Sequence, residues 1–118
     1  MAKKQKILIK RAYLPFSAED GYCILVDRLW PRGIRKESAP WTVWVKAIAP
    51  SDDLRKWFSH DPEKWAGFQK KYKEEVLSNQ EALKELKSAI KGHAVVTLVY
   101  AAKDTLHNNA VVLQQLLT

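Results

Sequence analysis

Cysteine is almost missing from this chain: Cys23 stands alone among 118 residues. No intrachain disulfide can form, which fits a reducing compartment, and a cytoplasmic protein is expected. No apolar run approaches the roughly 20 residues that cross a bilayer, so no membrane association is expected. The apolar stretch behind the basic start MAKKQK, Ile7 to Ile9, is too short for a signal peptide. There is no glycine-rich phosphate loop and no serine nucleophile elbow. His60, His93 and His107 lack the spacing of a metal site, so no zinc is expected, and no motif implies a cofactor. Cys23 lies in the middle of an apolar run and reads as a small core residue rather than a nucleophile.

What is present is an ordinary globular composition, 47% hydrophobic and 28% charged, in a length that suits one domain over residues 1–118. Five tryptophans supply much apolar area, since each aromatic buries roughly 150–250 Å². The net charge is +7. It fits a phosphate-bearing small molecule or nucleic acid as partner, and equally a generic basic surface. Lys70, Lys71, Lys73, Lys84 and Lys87 interleave with Glu74, Glu75, Glu81 and Glu85, as on any solvated helix face. The oligomeric state is not readable; many tryptophans on a small basic domain leave a dimer open.

The hydrophobic periodicity sets out an α/β fold: a small, mostly parallel sheet of about three to four strands with helices packed against it. Lys6 to Lys10 reads as a strand, with Ile7 and Ile9 on one side. Tyr22 to Asp27 is a second, apolar on both faces and therefore interior. The connector between them is short and rich in turn residues. Length alone favours an antiparallel hairpin there, because a helical crossover takes about 10–12 residues. Residues 34–49 fit a short strand and a helical turn equally. Ser51 caps a helix running to about Phe58; Asp61-Pro62-Glu63 opens another, with Trp65, Phe68, Tyr72 and Val76 as its stripe. Asn79 caps a third, closed by Gly92. Trp57 and Trp65 fall in core stripes. Val95 to Val99 is a strand, and a last helix is expected from about Thr105 to Leu117, with Leu106, Ala110, Leu113 and Leu117 on one face.

Two segments carry the functional signal. Tyr22 to Gly33, YCILVDRLWPRG, and Val95 to Asn109, VVTLVYAAKDTLHNN, are apolar runs that break into charge. The long helical connection between them implies neighbouring parallel strands, and open α/β sheets bind ligands at the carboxyl ends of such strands. The expected crevice brings Asp27, Arg28 and Arg32 opposite Tyr100, Lys103, Asp104 and Asn108. Arg28, Arg32, Lys103 and Asn108 are the candidate anion-binding residues, because guanidinium groups in a stiff loop hold phosphate bidentately. Asp27, Tyr100 and Asp104 are the candidate catalytic residues: two carboxylates to move a proton and a phenol to donate a hydrogen bond. The alternatives are an Asp27–Arg28 or Asp27–Arg32 brace, and Asp104 or Thr105 as a plain helix cap. Trp30 fits stacking on a base and cover for the core. Arg55 and Lys56 extend the rim. His107 fits a surface position better than an acid–base role; His60 and His93 read as structural, exposed or loop residues.

The words VDRLWPRG, APSDDLRKWFSHDPEKWAGFQKKY and LVYAAKDTLHNNAVVL, in that order, resemble the YeaO-like family, a domain of unknown function numbered 488. The resemblance runs from Lys10 through the last helix. It implies a small prokaryotic cytoplasmic α/β protein and no settled activity. It also implies a parallel first strand, against the length argument. The broader superfamily often carries a cysteine at the end of the later strand and a Cys-His-Arg-like triplet at the next helix. Here Tyr100 and Leu106-His107-Asn108 stand in those places, which speaks against a cysteine mechanism. Three functional readings follow: an enzyme on a nucleotide or other phosphorylated substrate, a non-catalytic nucleic-acid-binding module, and a small-molecule sensor or partner-binding domain.

Overall fold

A computed structural model describes residues 5–118. Four strands form one parallel sheet in the order β1-β4-β2-β3, with β1 Lys6–Arg11, β2 Tyr22–Leu25, β3 Val43–Trp44 and β4 Val95–Tyr100. The two most continuously apolar runs, β4 and β2, lie inside the sheet, where both faces are covered. The helices are α1 Asp52–Phe58, α2 Trp65–Ser78, α3 Gln80–Ile90 and α4 Asn109–Leu117. None is long and apolar enough to cross a membrane.

Strand alternation sorts the core into two layers. Ile24, Val26, Val96, Leu98 and Tyr100 point to the face that all four helices cover, through Leu54, Phe68, Tyr72, Leu86 and Leu113 among others. Cys23, Leu25 and Val99 point to the other face. Among the described residues no α-helix packs on that side. Ala12 and Trp41 pack there, with Phe16, Trp30 and Trp44 partly buried around them.

The hairpin suggested by connector length does not form. β1 runs parallel to β4, and residues 12–21 carry the chain back across β4 to start β2. A six-residue strand spans only about 20 Å, and a ten-residue connector reaches roughly 33 Å, so no helix is needed. A single 3-10 turn, Ala18–Asp20, occupies the connector. The Thr97 hydroxyl donates to the Asp20 carbonyl (2.6 Å), and Lys10 pairs with the Asp20 carboxylate at 2.9 Å.

That pair, with the Ser17 N–H, holds the Asp20 carboxyl below its ordinary value of 3.8. An acid whose folded pKa is depressed stabilises the fold above its unfolded pKa and loses that contribution as pH falls through the folded value. Asp20→Asn is therefore expected to lower stability near neutrality and to flatten the loss of stability below about pH 4, read from urea midpoints across pH.

The caps at Ser51 and Asn79 form as the sequence implies, each side chain accepting a backbone N–H; Asp61 does the same, but for the 3-10 turn Pro62–Lys64 that leads into α2. Residues 34–49 hold β3 between two 3-10 turns. Two positions differ from expectation. Trp57 is 39% exposed, lying over Gly67 with the Lys64 and Lys71 ammonium groups 5.3 and 5.1 Å from its ring. Leu106 is 71% exposed and precedes α4, which begins four residues later than periodicity implies.

Candidate functional site

β2 and β4 pair in parallel from Tyr22↔Val96 to Leu25↔Val99, so their carboxyl ends open together. The Val26 N–H still bonds the Val99 carbonyl at 3.1 Å; beyond it the chains part. Asp27 bridges the gap, accepting from the Ala101 N–H (2.8 Å) and from the Asn109 amide (3.1 Å). The same amide donates to the Val26 carbonyl at 3.1 Å, so the first residue of α4 straps both strand ends. Burial pushes the Asp27 carboxyl above its ordinary pKa; the Ala101 bond, the Asn109 bond and the Arg55 charge pull it part of the way back.

The loop after β2 is fastened by aromatic residues. The Trp44 indole donates to the Asp27 carbonyl (2.7 Å), the Trp30 indole to the Ile34 carbonyl (2.5 Å) and the Tyr13 hydroxyl to the Arg32 carbonyl (2.9 Å). Trp30 meets Trp41 and Trp44 edge-on, with ring centroids 5.1 and 5.6 Å apart, on the face opposite the helices, and it also lines the cavity at the strand tips. Among the described residues neither brace forms: Arg28 approaches Asp52 at 3.5 Å, Arg32 has no ion-pair partner, and Asp27 meets only neutral donors.

The loop after β4 is a turn built on Asp104, which accepts from the Leu106 and His107 N–H groups (2.9 and 3.0 Å) and from His107 Nδ1 at 2.9 Å. Those bonds, the Leu106 N–H foremost, hold Asp104 below the usual carboxylate range. Asp104 thus caps a turn ahead of the helix, and Asn108 caps α4 itself, accepting from the Val111 N–H at 3.1 Å. The Asn108 amide also donates to the Asp104 carbonyl (2.9 Å), so one end of this side chain is tied to the loop and the other to α4.

Together these loops and the end of α1 line an open cavity of about 910 Å³. Asp27, Arg28, Arg32, Lys103, Asp104 and Asn108 all line it. Tyr100 does not. Its ring is 2% exposed and belongs to the helix-side core, on the same strand parity as Val96 and Leu98. Burial raises its pKa, while the Asn108 side chain opposes the rise. Arg55 and Lys56 do extend the rim, and Phe58 and Phe68 form an aromatic wall. His107 lies on the cavity too, its ring nearly perpendicular to that of Trp65 with centroids 5.2 Å apart.

Asn108 and Asn109 together, unusual inside a helix, already pointed to a ligand-facing position, and Asn109 ties the strand ends. Two contributors carried no such signal. Tyr13 fastens the Arg32 loop from a distant part of the chain. His60 lines the cavity from a backbone in the left-handed region (φ 56°), directly after Ser59 (φ 47°). Two successive non-glycine residues there are uncommon. His93, away from the cavity, stacks on Tyr22 with centroids 3.8 Å apart.

Over residues 6–118 the chain matches the family described as the inactive DUF488-N3 subclade. It is 43% identical over 107 residues to "Uncharacterized protein YeaO" of Escherichia coli (strain K12), covering 91% of this chain and 92% of that one. It is 40% identical over 117 residues to "Uncharacterized protein Rv3073c" of Mycobacterium tuberculosis (strain ATCC 25618 / H37Rv), covering 99% and 98%. No solved structure matches it.

Proposed function

This chain belongs to the DUF488 family, and from that footing we propose that it binds a phosphate-bearing small molecule between the β2 and β4 tips without turning it over. One observation carries the reading. Five cationic side chains, Arg28, Arg32, Arg55, Lys56 and Lys103, converge on one cavity, and among the described residues Arg32, Lys56 and Lys103 have no ion-pair partner. Like charges around one cavity repel one another, and a bound anion relieves that repulsion. A cavity of 910 Å³ is within the size range of small-molecule sites.

Three features support binding without chemistry. Tyr100 lies off the wall, Asp104 is committed to its turn, and Cys23 is buried in β2. The description of the matched subclade as inactive agrees. Turnover has one observation in its favour: the Asp104–His107 pair orients the imidazole as general acid–base sites do.

A thermal-shift screen of inorganic phosphate, pyrophosphate, sugar phosphates, mononucleotides and a short oligonucleotide, at two salt concentrations, tests the reading. Stabilisation by a small phosphate compound is expected. Arg32→Ala and Lys103→Ala should each weaken binding about 10–100-fold, as expected for charge-assisted hydrogen bonds, with stability changed by less than about 0.5 kcal/mol. Equal losses of affinity and stability would mark the two residues as braces. Stabilisation by the oligonucleotide alone, lost at high salt, would establish a nucleic-acid-binding module instead. Phosphate release that vanishes in His107→Asn would establish an enzyme.

A further inference from the structure

Two side chains from the end of β1 bridge the mouth of the cavity. The Arg11 guanidinium donates to the Ala102 carbonyl at 3.1 Å, beside Lys103, and its central carbon lies over the Tyr13 ring, 4.9 Å from the centroid. The Tyr13 hydroxyl donates to the Arg32 carbonyl at 2.9 Å. Arg11 and Tyr13 therefore span from the loop after β4 to the loop after β2, where the cationic tips face each other. The Tyr13 ring is held at its hydroxyl end and over one face, yet the residue stays 43% exposed on the cavity wall. Leu29, next to Arg28, lines the same cavity and is 64% exposed. One exposed leucine on a surface needs no explanation. Two large apolar side chains open to the same cavity, rimmed by cations, have the character of a ligand groove.

An anion held by Arg32 and Lys103 has this fixed aromatic ring at its side. Inorganic phosphate alone would leave both Tyr13 and Leu29 wet. We propose, building on the phosphate-binding reading above, that the cavity takes phosphate monoesters whose organic group presents a flat apolar face, with Tyr13 as the platform for that face. The cations hold the phosphate, and the substituent covers the Tyr13 ring and Leu29. Tyr13 is then a specificity-determining residue as well as a fastener of the Arg32 loop. A ring already held in place loses little conformational freedom when a ligand lands on it, so the buried apolar area and the offset stacking appear as affinity.

Titration of the full chain with inorganic phosphate, methyl phosphate and phenyl phosphate, followed by heteronuclear NMR, tests this. Phenyl phosphate is expected to bind at least about fivefold more tightly than methyl phosphate, with its additional shifts concentrated at Tyr13 and Leu29. Tyr13→Ala should bring the two esters to within about twofold of each other, whereas Tyr13→Phe, which keeps the ring, should retain a preference above about threefold. Equal affinities of the two esters for the unaltered chain would overturn the inference with no variant needed. So would Tyr13→Ala weakening both esters by the same factor, which would leave Tyr13 as a brace for the loop. If inorganic phosphate binds through Arg32 and the esters are not distinguished, the inference fails and phosphate binding stands. If none of the three binds, phosphate binding fails first and the inference with it.

Discussion

Gly21→Ala is expected to cost about 3–5 kcal/mol, enough to unfold much of the population of a domain with ordinary marginal stability. Gly21 sits where the crossover from β1 meets the sheet, with φ 65° and ψ −136°, a region that side-chain-bearing residues rarely adopt. A methyl group there would lie 2.3 Å from the Val95 carbonyl oxygen and 2.8 Å from the Val95 Cβ. Both belong to the start of β4, inside the sheet, and neither can move without disturbing the ladder. Gly67→Ala is the control. Its added methyl also falls inside contact distance, 2.8 Å from the Trp57 ring, but that ring is a half-exposed side chain free to swing. Gly67 is helical, where alanine is favoured by roughly 1 kcal/mol, so Gly67→Ala should be neutral or slightly stabilising. Urea denaturation of both variants separates the cases; comparable losses would mean that the close passage of the crossover over Val95 is wrong.

Tyr72→Ala should also remove about 3–5 kcal/mol, the usual range for deleting a fully buried aromatic side chain. Tyr72 is entirely buried at the centre of the helix-side core, where its hydroxyl donates to the Ile48 carbonyl at 2.6 Å. Burial foremost, together with the charges of Asp27 and Glu75, raises its pKa well above 10.0, so the phenol stays a donor throughout the working pH range. Tyr72→Phe keeps the ring and leaves only the Ile48 carbonyl without its donor, an expected loss of about 1–2 kcal/mol. The difference between the two variants measures packing apart from the hydrogen bond. Because Phe68 packs on Tyr72 and lines the cavity, the alanine variant should also weaken ligand binding, whereas the phenylalanine variant should not. A Tyr72→Phe loss as large as the alanine loss would place the stabilisation in the hydroxyl instead.

Much of the architecture was legible because its signals are local. Ser51, Asp61 and Asn79 each precede a periodic stripe and each caps, Asp61 through the 3-10 turn ahead of α2. α4 was harder because Asp104 and Asn108 carry the same capping signal four residues apart. The tie is broken from outside the helix, by Asn109 reaching the Val26 carbonyl and Asp27. Tyr100 shows a different kind of miss. Strand parity already placed it with Val96 and Leu98 on the buried face, but its position at the strand end suggested the crevice instead.

From the sequence alone came three of the four strands, the four helices within a few residues, the parallel pairing of the Tyr22 and Val95 strands, and the gathering of Asp27, Arg28, Arg32 and Lys103 along one cavity; β3 was not among them, because residues 34–49 fit a strand and a helical turn equally. Periodicity, capping chemistry and the sudden end of apolar runs are written in neighbouring residues. Only the tertiary structure decided the direction of β1, the withdrawal of Tyr100 into the core, and the pairing of Asp27 with neutral donors rather than arginine. Each depends on contacts between segments far apart in the chain, such as Asp20 with Thr97 and Asp27 with Ala101, whose geometry no local pattern encodes.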